Sequence, residues 1–116
     1  MQLVDFITDS PSQKLILLLE NGTRMNFNIR FFDNQDGWFF DLIYGSFAVY
    51  NRRIVTSPNL LRQFRGIIPF GLACVTSDGH EPIFQNDFLT KRAKIYLVDS
   101  DEVESIEDSI ANAKTK

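Results

Sequence analysis

The chain has 116 residues, a length that fits one domain able to bury a core of its own. Its formal net charge of −3 gives no general attraction to phosphate backbones or anionic lipids, and its single cysteine excludes an internal disulfide. No apolar run reaches the length of a membrane span, and the N-terminus lacks the pattern of a signal peptide, so we expect no membrane partner and synthesis in a cytoplasm.

Two strands are predicted before residue 21. Residues 2–8 alternate weakly between polar and apolar side chains, which favours a first strand. The run from Lys14 to Glu20 (KLILLLE) is continuously apolar between its charged ends, a pattern typical of a strand covered on both faces. Asn21-Gly22 follows and predicts a tight type I′ turn, which would set the register of the next strand.

The next residues predict the centre of the sheet. Apolar and polar residues alternate from Arg24 to Phe31, residues 33–37 are turn formers, and a second apolar run extends from Trp38 to Tyr44. We expect this hairpin to lie centrally, with Trp38 as its largest core side chain. Gly45-Ser46 predicts another turn and residues 47–55 a further strand, which completes an antiparallel meander of four strands.

The second half changes pattern before it returns to strands. Ser57 is a good N-cap and Pro58 fits the first helical position, so a short helix is predicted near residues 58–65. Strands are predicted for residues 71–76 and 94–98, whereas residues 83–90 favour neither state. The predicted fold class is therefore mainly β, an antiparallel meander that forms a small barrel or sandwich.

From Asp99 onward the sequence is acidic. Asp99 and Glu102 match a capping box, and Val103, Ile106 and Ile110 recur at helical spacing, so an amphipathic helix is predicted, with its last residues disordered. We expect residues 1–98 to form a single β-rich domain and residues 99–116 to form an acidic C-terminal segment, helical or partly disordered.

No residue set predicts a catalytic, cofactor or metal site. The only histidine, His80, lies in a loop without a partner set, and Cys74 lies in an apolar strand where a thiol is inert. A carboxylate pair for acid–base chemistry would need two acids in one pocket, and turn chemistry accounts for most of the candidates. Those candidates are Asp5, Asp9, Asp33, Asp36 and Asp41.

Basic residues leave a second kind of function open. Arg52, Arg53, Arg62 and Arg65 stand near aromatic residues in the sequence. A small β-barrel with cations and aromatics on one face binds single-stranded nucleic acid, which is the alternative function. The overall acidity favours instead a solvated rim or a patch for an acidic protein partner, including the acidic tail of a neighbouring subunit.

Several segments taken together resemble a known family. They are the Asn21-Gly22 hairpin and the segments 38–42 (WFFDL), 54–61 (IVTSPNLL), 71–74 (GLAC), 87–88 (DF) and 95–98 (IYLV). Their order is similar to that of small tail proteins of contractile-tailed phages described as baseplate plug proteins. The resemblance spans residues 15–98 and consists of apolar and turn residues.

The resemblance implies a structural virion protein without catalytic residues or cofactors. Proteins of this family are expected to sit in the central channel of the tail baseplate, to contact hub, spike and tail-tube proteins, and to close the tube until ejection. Baseplate symmetry implies several copies around the tail axis, as a trimer or hexamer, made in the host cytoplasm. Arg52-Arg53 and the acidic tail depart from the family's pattern, so their contacts are the least defined.

Overall fold

The computed structural model describes residues 1–19 and 21–114 of the chain. Its strands form two open antiparallel sheets that pack as a sandwich, so the mainly β prediction is confirmed, and no closed barrel forms among the described residues. One helix, α1, follows the last strand. The elements are β1 (Gln2–Leu3), β2 (Ser12–Leu18), β3 (Arg24–Phe32), β4 (Gly37–Tyr44), β5 (Phe47–Arg53), β6 (Gly71–Thr76), β7 (Ala93–Val98) and α1 (Ser100–Lys114).

The larger sheet is the predicted meander, in the order β2-β3-β4-β5. The hairpin of β3 and β4 lies at its centre, with Phe31 opposite Trp38 and Phe27 opposite Leu42. Met25, Phe27, Ile29 and Phe31 of β3 face inward because a strand directs alternate side chains to the same face, whereas Phe32 lies on the outer face with Arg30. Trp38 is completely buried, as predicted.

The turn between β2 and β3 differs from the predicted type I′ turn. Leu18 pairs with Arg24, and the Leu19 N–H donates to the Thr23 carbonyl at 2.9 Å, so the turn is centred on Asn21 rather than between Asn21 and Gly22. Gly22 has φ +84°, a conformation that glycine adopts without steric cost. The predicted antiparallel pairing of β2 with β3 is confirmed, whereas the predicted two-residue turn is wrong.

The prediction that β2 is buried on both faces is wrong. Leu15 and Leu17 point into the core, but Ile16 and Leu18 are 59% and 60% exposed. β2 lies at the edge of its sheet, and its outer face has no covering layer among the described residues. Residue 20, the predicted end of this strand, lies outside the described residues.

The smaller sheet has the order β1-β7-β6 and supplies the other half of the core through inward residues such as Leu72 and Ile95. The predicted helix near residues 58–65 is wrong. Ser57 bonds Cys74 at 2.9 Å and the Leu60 N–H donates to the Leu72 carbonyl at 2.6 Å. Because this pairing occupies the backbone that a helix would use, only a 3-10 turn at Arg62–Phe64 remains.

Helix α1 confirms the predicted C-terminal helix and packs on the outer face of the smaller sheet through Val103, with Ile106 half-buried beside it. The capping box forms as predicted: the Glu102 N–H donates to Asp99 Oδ1 at 2.8 Å, and the Asp99 N–H donates to Glu102 Oε1 at 3.2 Å. Residues 115–116, predicted to be disordered, lie outside the described residues.

Replacement of Asp99 by alanine tests this cap. We expect a loss of about 1 kcal/mol in the stability of α1, because one amide of the first turn loses its acceptor. Amide hydrogen exchange along residues 100–112 measures the loss. Asp101→Ala is the matched control, since that exposed side chain accepts no capping hydrogen bond among the described residues. Equal exchange rates in the two variants would contradict the assignment.

Candidate interaction surfaces

The two residues with the most reactive side-chain chemistry are not assembled into a site. His80 is exposed, and its backbone N–H donates to Asp78 Oδ1 at 3.1 Å. Cys74 is buried on the inner face of β6, and burial, with a smaller contribution from the Glu81 charge, raises its pKa to about 12. The thiol is therefore protonated at neutral pH and is a poor nucleophile.

The candidate carboxylates are distributed over three parts of the fold. Asp5 and Asp9 lie in the N-terminal segment, and Asp33 and Asp36 lie in the turn between β3 and β4. The described residues contain no group of three or more His, Cys, Asp or Glu side chains able to hold a metal ion. Within the same residues, no helix is long and apolar enough to cross a membrane.

Asp41 is the candidate acid with the most partners. It lies on the outer face of β4 and accepts two hydrogen bonds from Arg30, at 2.6 and 3.0 Å, and one from the Asn51 N–H at 2.7 Å. The Arg30 hydrogen bond is the main cause that holds the pKa of Asp41 below its ordinary value. Asp41 therefore links β3 to the bulged end of β5, where Asn51 has φ +56°.

The four arginines do not form one open basic face with free aromatic rings. Arg62 and Arg65 both pair with Glu107 of α1, at 2.8 and 3.2 Å. Arg52 lies over the ring of Phe64 at 5.3 Å. Arg53 lies over Phe39 at 5.4 Å and donates to the carbonyls of Gln35 and Asp36 at 3.2 and 2.8 Å. Each arginine thus binds within its own chain, and the acidic tail pairs with its own Arg62 and Arg65.

The most strongly fixed polar group, Asp87, was not predicted from the sequence. This residue is 1% exposed and accepts hydrogen bonds from the backbone N–H groups of Ile83 and Phe84, at 2.9 and 2.8 Å. Arg92 donates two further hydrogen bonds to Asp87, at 2.8 and 2.9 Å. It also donates to Asp78 and to the Glu81 carbonyl. Burial alone would raise the pKa of Asp87, but the Arg92 and backbone hydrogen bonds outweigh burial and lower it.

This network gives residues 83–92 a fixed shape, although they form neither helix nor strand. The core holds the same loop from the other side, because Trp38 Nε1 donates to the Phe84 carbonyl at 3.1 Å and the Trp38 ring meets Phe88 edge-on at 5.4 Å. The only sequence signal was an Asp-Phe pair between turn-forming residues, which does not identify its partners.

The fixed loop presents apolar side chains to solvent at one end of the sandwich. Phe84 is 56% exposed and Leu89 is 49% exposed. The loop is tied to the N-terminal segment, because Lys91 Nζ donates to the Asp5 carbonyl at 3.1 Å, and that segment exposes half of Phe6. Exposed aromatic and aliphatic residues on a rigid support are typical of protein–protein contacts. We call Phe6, Phe84 and Leu89 the end patch.

A second surface lies on the outer face of β2 and β3. Ile16 and Leu18 are exposed there, with Lys14 on the same strand and Arg24 directly opposite Leu18. Neither cation takes part in an ion pair among the described residues. We call Lys14, Ile16, Leu18 and Arg24 the β2 patch. It combines two apolar side chains with two available positive charges.

A third surface lies on the opposite side of the sandwich, beside α1. A shallow groove of about 380 Å³ lies between the helix and Pro58, lined by Ser105, Ile106, Ser109 and Ile110. We call it the α1 groove. The exposed acids Asp101, Glu104 and Asp108, at spacings i, i+3 and i+7, form an acidic stripe along one helix face. Asp101 and Asp108 adjoin Ser105, so this stripe borders the groove.

Comparison with known proteins identifies a family for this chain. The family model described as Cyanophage baseplate Pam3 plug gp18 matches residues 1–101 of the chain. The matched region includes both sheets and the 83–92 loop and ends at Asp101, so most of α1 lies beyond it. No curated protein matches the chain.

Proposed function

The chain belongs to the cyanophage baseplate plug family, and from this membership we propose that it plugs the central channel of a phage tail baseplate through contacts with hub, spike and tail-tube proteins. A structural role in the virion tail follows from the family itself. The match over residues 1–101 is the observation that carries the proposal. The channel position and the named partners are its finer part, and the exposed surfaces support them.

The end patch suits a contact with another baseplate protein. Its aromatic and aliphatic side chains are about half exposed, yet the loop that carries Phe84 and Leu89 is fixed by hydrogen bonds to Asp87 and Trp38. A fixed anchor loses little conformational freedom on binding, which favours affinity. A plug must also remain seated until ejection, and a rigid apolar end meets that requirement better than a mobile one.

The same proposal covers the remaining properties of the protein. It acts without catalysis, cofactor or metal, since the baseplate plug family is structural, and it is made in the host cytoplasm before assembly. Several copies, a trimer or a hexamer, surround the tail axis. Residues 1–98 form the domain that the baseplate holds, and residues 99–116 form a segment added to it.

The nucleic-acid alternative has less support. It requires Arg52, Arg53, Arg62 and Arg65 to share one face with exposed aromatic rings. Two of these arginines bind Glu107, and the other two lie over the rings of Phe64 and Phe39. A phosphate backbone would have to compete with Glu107 for Arg62 and Arg65, so we favour protein partners.

The experiment is co-expression of the chain with each of the hub, spike and tube proteins encoded beside it, followed by affinity capture. We expect capture of a hub or spike protein, and loss of that capture in the Phe84→Ser/Leu89→Ser variant, because both side chains are exposed anchors. The thermal midpoint should change little, since exposed positions contribute little to stability.

The matched control is Ile67→Ser, which removes another exposed apolar side chain, 69% exposed, outside the end patch. It should leave capture unchanged. Equal capture by wild type and the Phe84→Ser/Leu89→Ser variant would reject the end patch as the contact. If the wild-type chain binds no baseplate protein but binds a single-stranded oligonucleotide, the plug proposal fails and the alternative replaces it.

A further inference from the structure

We propose that copies of this chain associate head to tail, with the β2 patch of one copy seated in the α1 groove of the next. This inference deepens the proposed function, which calls for several copies around one axis, by naming the two surfaces that join them.

The chemistry of the two surfaces is complementary. The β2 patch offers Ile16 and Leu18 between two cations, whereas the α1 groove offers Ile106 and Ile110 beside the acidic stripe. Among the described residues, the stripe acids make no ion pair within their own chain. The other helix acids differ, because Glu102 binds the N-terminal ammonium and Glu107 binds two arginines. The unpaired charges of the β2 patch are therefore positive, and those beside the α1 groove are negative.

The charges are also unevenly distributed over the whole molecule. Among the described residues, the outer face of the larger sheet carries Lys14, Arg24, Arg30 and Arg53 against the single carboxylate of Asp41. The chain as a whole has a net charge of −3, so its remaining surface is acidic. Complementary faces of this kind steer two molecules into one orientation and disfavour contacts between like faces.

The dimensions of the two surfaces match. Lys14 and Leu18 are separated along β2 by about 13 Å, from the rise of about 3.3 Å per residue in a strand. Asp101 and Asp108 are separated along α1 by about 10 Å, from the rise of 1.5 Å per residue in a helix. Lys14 and Arg24, which faces Leu18, have side chains long enough to bridge the difference.

The positions of the surfaces make the association heterologous. The β2 patch lies on the outer face of the larger sheet, while α1 covers the outer face of the smaller sheet, so the two surfaces lie on opposite sides of the sandwich. Two different surfaces in contact form a heterologous interface, which produces a closed ring when the rotation permits. A ring of copies is the arrangement that an axial baseplate channel can hold.

Disulfide cross-linking of the isolated full-length chain tests the interface. In the Leu18→Cys/Ser109→Cys variant, mild oxidation should produce a series of covalent oligomers, because each copy presents one cysteine to each neighbour. Leu18→Cys alone and Ser109→Cys alone should remain uncross-linked. Both positions are exposed, and the native Cys74 is buried, so the background should be low.

Charge reversal provides an independent readout by sedimentation velocity. Lys14→Glu/Arg24→Glu and Asp101→Lys/Asp108→Lys should each weaken self-association by at least about tenfold, and their combination should restore it. Asp9→Lys/Asp33→Lys is the control for net charge and should not weaken it, because both acids are exposed and lie outside the two surfaces. Association should weaken as salt rises.

Three results would overturn the inference: a wild-type chain that stays monomeric at every concentration, cross-linking of Leu18→Cys alone, or no restoration in the combined variant. The second would indicate a symmetric contact between β2 strands instead. None of these results bears on capture of hub or spike proteins through the end patch, so the failure of this interface is distinguishable from failure of the proposed function.

Discussion

Replacing Trp38 with alanine is expected to lower the free energy of unfolding by about 3–5 kcal/mol, the range for large aromatic truncations in cores. The side chain is fully buried, and its ring meets Phe31 at 5.4 Å and Phe88 at 5.4 Å. It therefore joins the central hairpin to the 83–92 loop. A domain of this size has roughly 5–15 kcal/mol of stability in total, so the variant would retain little of it.

Chemical denaturation followed by far-UV circular dichroism measures the loss. Tyr50→Ala is the matched control, because that ring is 63% exposed and its removal should change stability by no more than about 0.5 kcal/mol. Trp38→Phe separates ring packing from the hydrogen bond to the Phe84 carbonyl, and it should retain more stability than the alanine variant. Similar midpoints for wild type and Trp38→Ala would show that the core is centred elsewhere.

The second large effect is expected at the buried pair of Asp87 and Arg92. Arg92→Met removes two hydrogen bonds from a carboxylate that is 1% exposed. Loss of one partner from a buried ion pair leaves an uncompensated charge, and the cost is about 3 kcal/mol or more. Since Phe84 and Leu89 lie on the loop that this pair holds, the variant should also weaken capture of baseplate partners.

Two variants make this measurement specific. Asp87→Asn combined with Arg92→Met removes both charges and should be more stable than Arg92→Met alone, because no buried charge is then unpaired. Arg62→Met is the matched control for loss of an arginine ion pair at a more exposed position, where the Arg62 side chain is 41% exposed. It should destabilise the fold much less. If Arg62→Met and Arg92→Met behave alike, the Asp87 network does not hold the loop.

The same pair predicts the response of the protein to acid. The pKa of Asp87 is lowered in the folded protein, so its contribution to stability is complete above the unfolded-state pKa of about 3.9 and is lost as the pH falls through the folded value. Asp41 behaves in the same way through Arg30. Denaturation midpoints measured from pH 7 to pH 3 should therefore fall at the acidic end, and less steeply in the Asp87→Asn variant.

The central hairpin was predictable from sequence because its own residues determine it. The alternation in β3 sets which face is buried, and the turn formers at 33–37 set where the chain reverses. The cap of α1 was predictable for the same reason, since Asp99 and Glu102 bond each other's backbone. In each case the partners lie close together in sequence.

The failed predictions involve partners that are distant in sequence. KLILLLE indicated a strand covered on both faces, but the cover for Ile16 and Leu18 would have to come from another layer, and no described residue provides one. Ser57 and Pro58 predicted a helix, but the backbone of this segment forms hydrogen bonds with β6 instead. Likewise, nothing near Asp87 in sequence indicated its burial, and nothing near Arg62 indicated Glu107 as its partner. These long-range contacts fix both the loop and the helix that form the proposed surfaces.

The buried thiol of Cys74 can report how often the fold of this protein opens. It is the only cysteine in the sequence and is buried in the closed fold, so a labelling reagent reaches it only when the fold opens. The rate of labelling therefore counts opening events, first in the isolated chain and then in an assembled particle. Firm seating in the baseplate should lower the labelling rate of Cys74, and a trigger for ejection should raise it again.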